Sequence, residues 1–220
     1  MQLTKLRILI ADDHELVRRG LKVLLSPRSN WIVCGEAMSG REAVALATQH
    51  QPDIVIMDIS MPGLNGLEAT RKIRKALPNT QVLILSLHYS DQLVRDVIDA
   101  GARGYLVKSD ASRDILNAVE ALASHRPFFT SGAAKIVLDG FFKQGSVPER
   151  TPLKGQRLSS REREIVQLLA EGQSSKEVAV TLGISVKTAE THRSNIMRKL
   201  EIHSVSELVR YAVKNQMIEP

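Results

Sequence analysis

The sequence predicts two domains of different class: a doubly wound α/β domain on a five-stranded parallel sheet, then an all-α domain containing a helix-turn-helix. Three observations carry this. Apolar runs alternate with helical patterns five times between residues 6 and 124, as in successive βα units joined by right-handed crossovers. The runs are rich in Val, Ile and Leu with few polar interruptions, as expected of strands covered on both faces. Beyond a stretch rich in Gly, Pro and charge, K-Q-G-S-V-P-E-R-T-P-L-K-G-Q-R, only short helical patterns remain.

Each element has its own signal. L-R-I-L-I-A (6–11) reads as the first strand, and residues 15–25 place Val17, Leu21 and Leu24 on one helical face. W-I-V-C-G-E (31–36) is the second strand. Ser39 with Glu42 has capping-box spacing and opens a helix through Ala47. I-V-I-M (54–57) is the third strand, followed by a helix over 65–76. Q-V-L-I-L-S (81–86) precedes a helix from Asp91 to Ala100 that Gly101 stops. G-Y-L-V-K (104–108) and a helix over 112–124, with Ile115, Val119 and Leu122 on one face, complete the unit. The first domain thus takes 1–128. A linker with one short amphipathic helix (131–142) takes 129–156, and the helical domain takes 157–220.

Composition narrows the function classes. No apolar run approaches the ~18–20 residues that span a bilayer, and the N-terminal apolar core is too short for a signal peptide. A single cysteine, Cys34, excludes an internal disulfide and reads as a core thiol. These features point to the cytoplasm and to no membrane contact. The net charge of +6 is spread evenly: 1–130 carries 16 basic and 14 acidic residues, 131–156 carries 4 and 2, and 157–220 carries 10 and 8. No segment is a basic block, so nucleic-acid binding must be argued from geometry.

In an open parallel sheet the ligand site lies beyond the carboxyl ends of the strands. Those ends carry Asp12 and Asp13 (strand one), Asp58 (strand three), Ser86 (strand four) and Lys108 (strand five). A lone aspartate at a strand end is usually a cap or turn residue, and a lone lysine is usually surface. Their joint placement in successive units is what points to a site. Three carboxylates gathered on one rim call for a cation, and such oxygen ligands suit Mg²⁺. With Lys108 as a second positive charge and Ser86 as a hydroxyl donor, the set suits a phosphoryl group transferred onto Asp58.

I-L-I-A-D-D-H, I-V-I-M-D-I-S-M-P-G-L-N-G-L-E, V-L-I-L-S and A-G-A-R-G-Y-L-V-K together resemble the flavodoxin-like receiver domain of bacterial response regulators. The resemblance implies that Asp58 accepts a phosphoryl group from a histidine of a sensor kinase. It implies an Mg²⁺ pocket of Asp12, Asp13, Asp58 and the Ser60 carbonyl. Ser86 and Lys108 would contact the phosphoryl group, and Tyr105 would change exposure together with Ser86. One departure is Ser109, where many receivers carry a proline after a cis peptide. Ser60 and His88, each two residues past a site residue, occupy positions that influence phosphoryl lifetime in the family.

In the second domain, Ser159 and Glu162 have capping-box spacing, and Ile165, Leu168 and Leu169 share a face. Ser174 or Ser175 opens the next helix, which Gly183 stops, and Ser185 opens a third through Leu200. In a helix-turn-helix the second helix of the pair enters the major groove. Ala189, Ile196 and Leu200 fall on its inner face; Lys187, Glu190, Thr191, Ser194 and Arg198 fall on the outer one. Glu190 suits cytosine N4, and Thr191 offers a methyl and a hydroxyl. Lys187 and Arg193 suit phosphate or bases, while Thr188 and Lys199 suit phosphate. His192 lies toward the buried flank. From spacing alone, a protein-binding helical bundle stays open. The run from Leu158 to Leu200 resembles the LuxR-type helix-turn-helix, which continues to a closing helix near 204–215. Ala189 replaces the usual Val, and Glu190 stands where Lys is frequent.

Taken together, the chain resembles the NarL/FixJ family of two-domain response regulators. The resemblance implies a phosphorylation-switched transcription factor rather than an enzyme. It would bind two-fold DNA half-sites as a homodimer and work with a sensor histidine kinase and RNA polymerase. Rival readings fit less well. An aspartyl-phosphate phosphatase wants an aspartate where Ser60 stands. A dinucleotide oxidoreductase wants a G-x-G-x-x-G after strand one. A receiver serving only as a dimerisation module predicts that Asp58→Asn leaves DNA affinity unchanged.

Overall fold

The computed structural model describes residues 5–87, 89–130, 133 and 158–218. Elements alternate as β1 (Leu6–Ala11), α1 (Glu15–Leu25), β2 (Trp31–Ala37), α2 (Gly40–His50), β3 (Ile54–Asp58), α3 (Gly66–Ala76), β4 (Gln81–Ser86), α4 (Asp91–Asp99), β5 (Gly104–Val107), a 3₁₀ turn (Lys108–Asp110), α5 (Ala111–Ala123) and β6 (Phe128–Phe129). All strands are parallel in the order β2-β1-β3-β4-β5-β6. The chain leaves β1 to one side for β2, then returns across it to β3. That reversal opens a crevice between the carboxyl ends of β1 and β3, and it sets Asp12 beside Asp58.

Side-chain alternation builds two cores. Leu9, Val55, Met57, Val82 and Ile84 face α2, α3 and α4. Ile8, Ile10, Ile54, Ile56, Leu83 and Leu85 face α1 and α5. Both sheet faces are covered, which accounts for the near-continuous apolar strands.

The expected five strands become six, because Phe128 and Phe129 add a two-residue strand to β5. A piece that short leaves no period to read. Helix α2 runs to His50, beyond the expected Ala47, and stops where Gln51 turns left-handed at φ 47°. Its polar last turn hid the helical pattern. Ser39 accepts from the Glu42 N–H at 3.2 Å, but the Glu42 carboxylate returns to the Met38 N–H, so only half of the expected capping box forms. No peptide bond among the described residues is cis, including Lys108–Ser109. His88 and nearly all of the linker, including the short amphipathic helix expected there, lie outside the described residues.

The second domain consists of α6 (Ser160–Ala170), α7 (Ser175–Leu182), α8 (Val186–Lys199) and α9 (Val205–Lys214). Ser159 and Ser174 each form a complete capping box, with Glu162 and Glu177. Gly183, at φ 62°, ends α7 and turns the chain into α8. Ile165, Leu168, Val178, Ala189, Ile196 and Leu208 form its core.

Candidate functional site

The carboxyl ends of β1, β3 and β5 meet as the topology requires. Asp12 is 1% exposed and Asp58 is 3% exposed. Lys108 Nζ lies 2.8 Å from Asp12 Oδ2 and 2.9 Å from Asp58 Oδ1. Burial raises the Asp58 pKa, Lys108 pulls it back and Asp12 pushes it up again, leaving it at about 6. Burial alone would lower the Lys108 pKa, but Asp58 and Asp12 outweigh it and hold the ammonium above its ordinary value. Asp58 Oδ2 is buried and makes no hydrogen bond among the described residues.

Asp13 stands at the open edge. Ligand atoms of Asp12, Asp13, His14 and Asp58 all lie within 4.8 Å of one another. One lysine against three carboxylates leaves a surplus of negative charge, so the donors fit a hard divalent cation. Ser60 follows β3 by two residues and is half-buried. Ser86, the last residue of β4, is buried and hydrogen-bonded to the Tyr105 hydroxyl. Tyr105 is fully buried, and that burial pushes its pKa up to about 12 despite the Ser86 bond.

Sequence reasoning gave no role to two neighbours of this cluster. The His14 backbone N–H donates to Asp12 Oδ1 at 2.9 Å, and its Nδ1 lies 2.9 Å from Asp13 Oδ1. Arg18 is buried and donates from Nη1 to the carbonyls of Asp12 and Asp13 at 2.8 and 3.2 Å. The only sequence signal for Arg18 was a cation inside the first helix, one of several there.

In the second domain the outward face of α8 carries Lys187, Thr188, Glu190, Thr191, Ser194 and Arg198, all exposed. Ala189 and Ile196 are buried beneath it, while His192, Arg193, Lys199 and Leu200 are intermediate. Several of the polar groups already have internal partners. The Thr191 hydroxyl donates to the Lys187 carbonyl at 2.8 Å, and Arg198 Nη2 donates to Asn195 Oδ1 at 2.9 Å. Thr188 and Ser185 share a hydroxyl bond of 2.7 Å. Lys199 Nζ donates to Glu162 Oε2 at 2.9 Å, which turns a candidate phosphate contact toward α6.

Sequence reasoning also missed the seam between the domains. Glu68 on α3 is bound by Arg163 and Ser160 of α6, and Glu164 on α6 is bound by Lys72 of α3 at 2.7 Å. Gln167 is fully buried: its amide nitrogen donates to the Met61 carbonyl at 2.9 Å, and its oxygen accepts from the Asn65 N–H at 2.8 Å. The signal was present as a polar stripe, 160, 163/164, 167 and 171, at helical spacing on the side of α6 away from Ile165 and Leu168. The seam uses α6 and leaves the outer face of α8 open.

Comparison with known proteins matches residues 8–120 to the response regulator receiver domain and residues 156–212 to the bacterial regulatory proteins of the luxR family. The chain is 36% identical to the transcriptional regulatory protein LiaR of Bacillus subtilis, over 97% of this chain and 99% of that one. It is 37% identical to the oxygen regulatory protein NreC of Staphylococcus carnosus, over 97% and 100%. Among solved structures it is similar to a LuxR-family two-component response regulator from Aurantimonas sp. (33% identity, TM-score 0.58, 63% of this chain and 99% of that one). It is also similar to RcsB of Salmonella enterica serovar Typhimurium bound to promoter rprA in the presence of the phosphomimetic BeF3⁻ (25% identity, TM-score 0.62, 94% and 98%).

Proposed function

The chain belongs to the bacterial response regulators that join a receiver domain to a LuxR-type DNA-binding domain, and from that premise we propose which of its residues carry the switch. It is a phosphorylation-dependent regulator of transcription. The phosphoacceptor is Asp58. The observation that carries this is the pair of Asp58 oxygens: Oδ1 is held by Lys108, while Oδ2 is buried without a hydrogen bond among the described residues.

With a pKa of about 6, Asp58 is ionised at neutral pH and can act as a nucleophile. Oδ2 forms the new O–P bond as the N–P bond to a sensor kinase's phosphohistidine breaks, and the imidazole leaves with the bonding pair. Asp12, Asp13, Asp58 and the Ser60 carbonyl would hold Mg²⁺, which would neutralise charge on the transferred oxygens. Lys108 supplies a second positive charge. Ser86 offers its hydroxyl to a phosphoryl oxygen, and Tyr105, bonded to Ser86, follows it, so the phosphoryl charge biases a two-state element.

On the DNA side, Lys187, Glu190, Thr191, Ser194 and Arg198 face the major groove. Thr188, Arg193 and Lys199 lie where phosphates pass. Each domain carries little net charge, so two copies on two-fold half-sites gain affinity by avidity. The protein acts as a homodimer with RNA polymerase as its downstream partner, and it carries no enzymatic activity of its own. We place it in the cytoplasm; no described helix is long and apolar enough to cross a membrane.

The test uses full-length protein, Mg²⁺ and acetyl phosphate. Mass, oligomeric state and binding to a random DNA pool are followed for wild type and Asp58→Asn. Donor-dependent dimerisation and tighter DNA binding in the wild type alone are expected. Equal DNA binding by both proteins, with no phosphoryl gain, would show that the receiver is only a dimerisation module.

A further inference from the structure

We infer that Gln167, in the DNA-binding domain, is a positioning residue for the metal pocket of the receiver. The inference rests on the reading of Asp12, Asp13, Asp58 and the Ser60 carbonyl as that pocket.

The loop between β3 and α3, residues 59–65, runs from Asp58 past Ser60 to the cap of α3. Its two ends are pinned. The Gly66 N–H donates to the Ile59 carbonyl at 2.8 Å, and a Cβ at Gly66 would stand 1.9 Å from the Asp58 carbonyl oxygen, so only glycine permits that approach. Between the ends the loop has few bonds of its own: Met61 N–H to the Ile59 carbonyl at 3.0 Å and Leu64 N–H to the Pro62 carbonyl at 2.9 Å.

Apart from the capping bonds of Asn65 to the Glu68 and Ala69 N–H groups, its other bonds come from α6 and the residue that ends it, more than a hundred residues away. Gln167 takes the Met61 carbonyl and the Asn65 N–H with the two ends of one carboxamide. Glu171 accepts from the Gly63 N–H at 2.9 Å and also receives the second Gln167 N–H at 2.8 Å. A buried carboxamide with both N–H groups and its oxygen bonded is rigid, and losing it strands two backbone groups. Met61 is the neighbour of Ser60, so the carboxamide fixes the peptide adjoining the expected ligand carbonyl. A ligand held in place before the ion arrives binds it more tightly than one that must be ordered on binding. The ion pairs around Glu68 and Glu164 join the same domains but touch α3 instead of the loop. They dock the domains without aligning the pocket.

Linkage makes the effect reciprocal: a cation in the pocket stiffens the loop, and a stiff loop favours the α6 seam. The DNA-binding domain and the acidic pocket thus communicate through residues 59–65, by a route separate from Ser86 and Tyr105.

The test is a Mg²⁺ titration of full-length protein, read from the backbone amide signals of Asp13 and Ile59, with hydrogen exchange at the Gly63 and Asn65 amides in parallel. Gln167→Met keeps the volume and removes both bonds to the loop and the one to Glu171. Glu171→Ala alters an exposed side chain and serves if Gln167→Met fails to fold. Arg163→Met weakens docking without touching the loop. Gln167→Met is expected to raise the Mg²⁺ half-saturation concentration by roughly 3- to 10-fold, Glu171→Ala by less, and Arg163→Met not at all. Mg²⁺ is expected to slow exchange at Gly63 and Asn65 in the wild type. Unchanged half-saturation in Gln167→Met and Glu171→Ala overturns the inference, and so does an equal rise in Arg163→Met. A wild type in which Mg²⁺ moves neither signal overturns the reading of the pocket itself, and the role of Gln167 with it.

Discussion

The acidic rim of the receiver and the outer face of α8 are both polar surfaces, yet they are built in opposite ways. At the rim Asp12 and Asp58 are buried, Lys108 lies within 3 Å of both, and a neighbouring arginine holds the backbone carbonyl of Asp12. The α8 face is exposed, and its side chains sit on one helix with short local bonds. A reacting group needs its partners fixed before the reaction. A groove-reading helix exchanges its local bonds and water for base edges only when DNA arrives. The difference teaches where substitutions will register: in folding stability at the rim, and in binding at the helix.

The largest effect should come from Lys108→Met. It leaves Asp12 and Asp58 buried without their shared cation, and breaking a buried ion pair from one side costs about 3–5 kcal/mol. Urea denaturation at pH 8 should show that loss. At pH 5 the loss should shrink, because Asp58 then keeps a proton in the folded state. A change under ~1 kcal/mol at pH 8 would mean that water, not Lys108, balances the rim.

Asp58→Asn should move stability the other way. Burial raises the Asp58 pKa from 3.8 to about 6. Between those values the folded protein holds a proton that the unfolded chain has released. The contribution of Asp58 to stability is therefore complete below about pH 4 and is lost as pH rises through about 6. At ~1.4 kcal/mol per pH unit the ceiling is about 3 kcal/mol. Without Mg²⁺, Asp58→Asn should be more stable than wild type at pH 7.5, by about 2 kcal/mol, and indistinguishable from it near pH 3.5. A gain that persists at pH 3.5 would assign the effect to packing instead of charge.

At the helix the same logic predicts changes in binding with little change in folding. Arg193→Ala should reduce the salt dependence of DNA binding by about one counterion and weaken all sequences alike. Thr191→Ala should cost about 1–3 kcal/mol at one base position only. A melting shift in either variant comparable to that of Lys108→Met would erase the contrast.

The two regions also differed in how legible they were. Asp12, Asp58 and Lys108 could be placed together because successive parallel βα units put every strand's carboxyl end on one rim, and apolar runs reveal where those ends fall. Helix α8 could be oriented because a 3.6-residue period is readable over its 14 residues. The seam went unread for a physical reason, although its polar stripe was there: Gln167, Glu164 and Glu68 are polar residues whose burial depends on a partner far along the chain. A periodic reading assigns such residues to solvent. Arg18 was lost the same way, since a buried arginine inside a helix looks like a surface one until its carbonyl partners are known. The sixth strand failed on length alone.

The smallest effect separates folding from binding within one residue. Glu162 closes the capping box of α6 by accepting from the Ser159 N–H at 2.7 Å, and it also holds Lys199 of α8 at 2.9 Å. Burial would raise its pKa, but Lys199 and Ser159 together hold it below the ordinary glutamate value. Its contribution is therefore present above the unfolded value and fades as pH falls through the lower folded one. Glu162→Gln keeps an acceptor for Ser159 and removes the charge opposite Lys199. A partly exposed pair of this kind is worth under ~1 kcal/mol, so the melting temperature should fall only slightly at neutral pH. The freed ammonium lies near the end of α8, where a phosphate could take the place of the lost carboxylate. DNA affinity should rise at low salt, and the salt dependence should steepen by up to about one counterion. Lys199→Ala in the Glu162→Gln background should cancel that gain. If affinity falls instead, Lys199 serves DNA binding by bracing α8 against α6, and its place among the phosphate contacts is wrong.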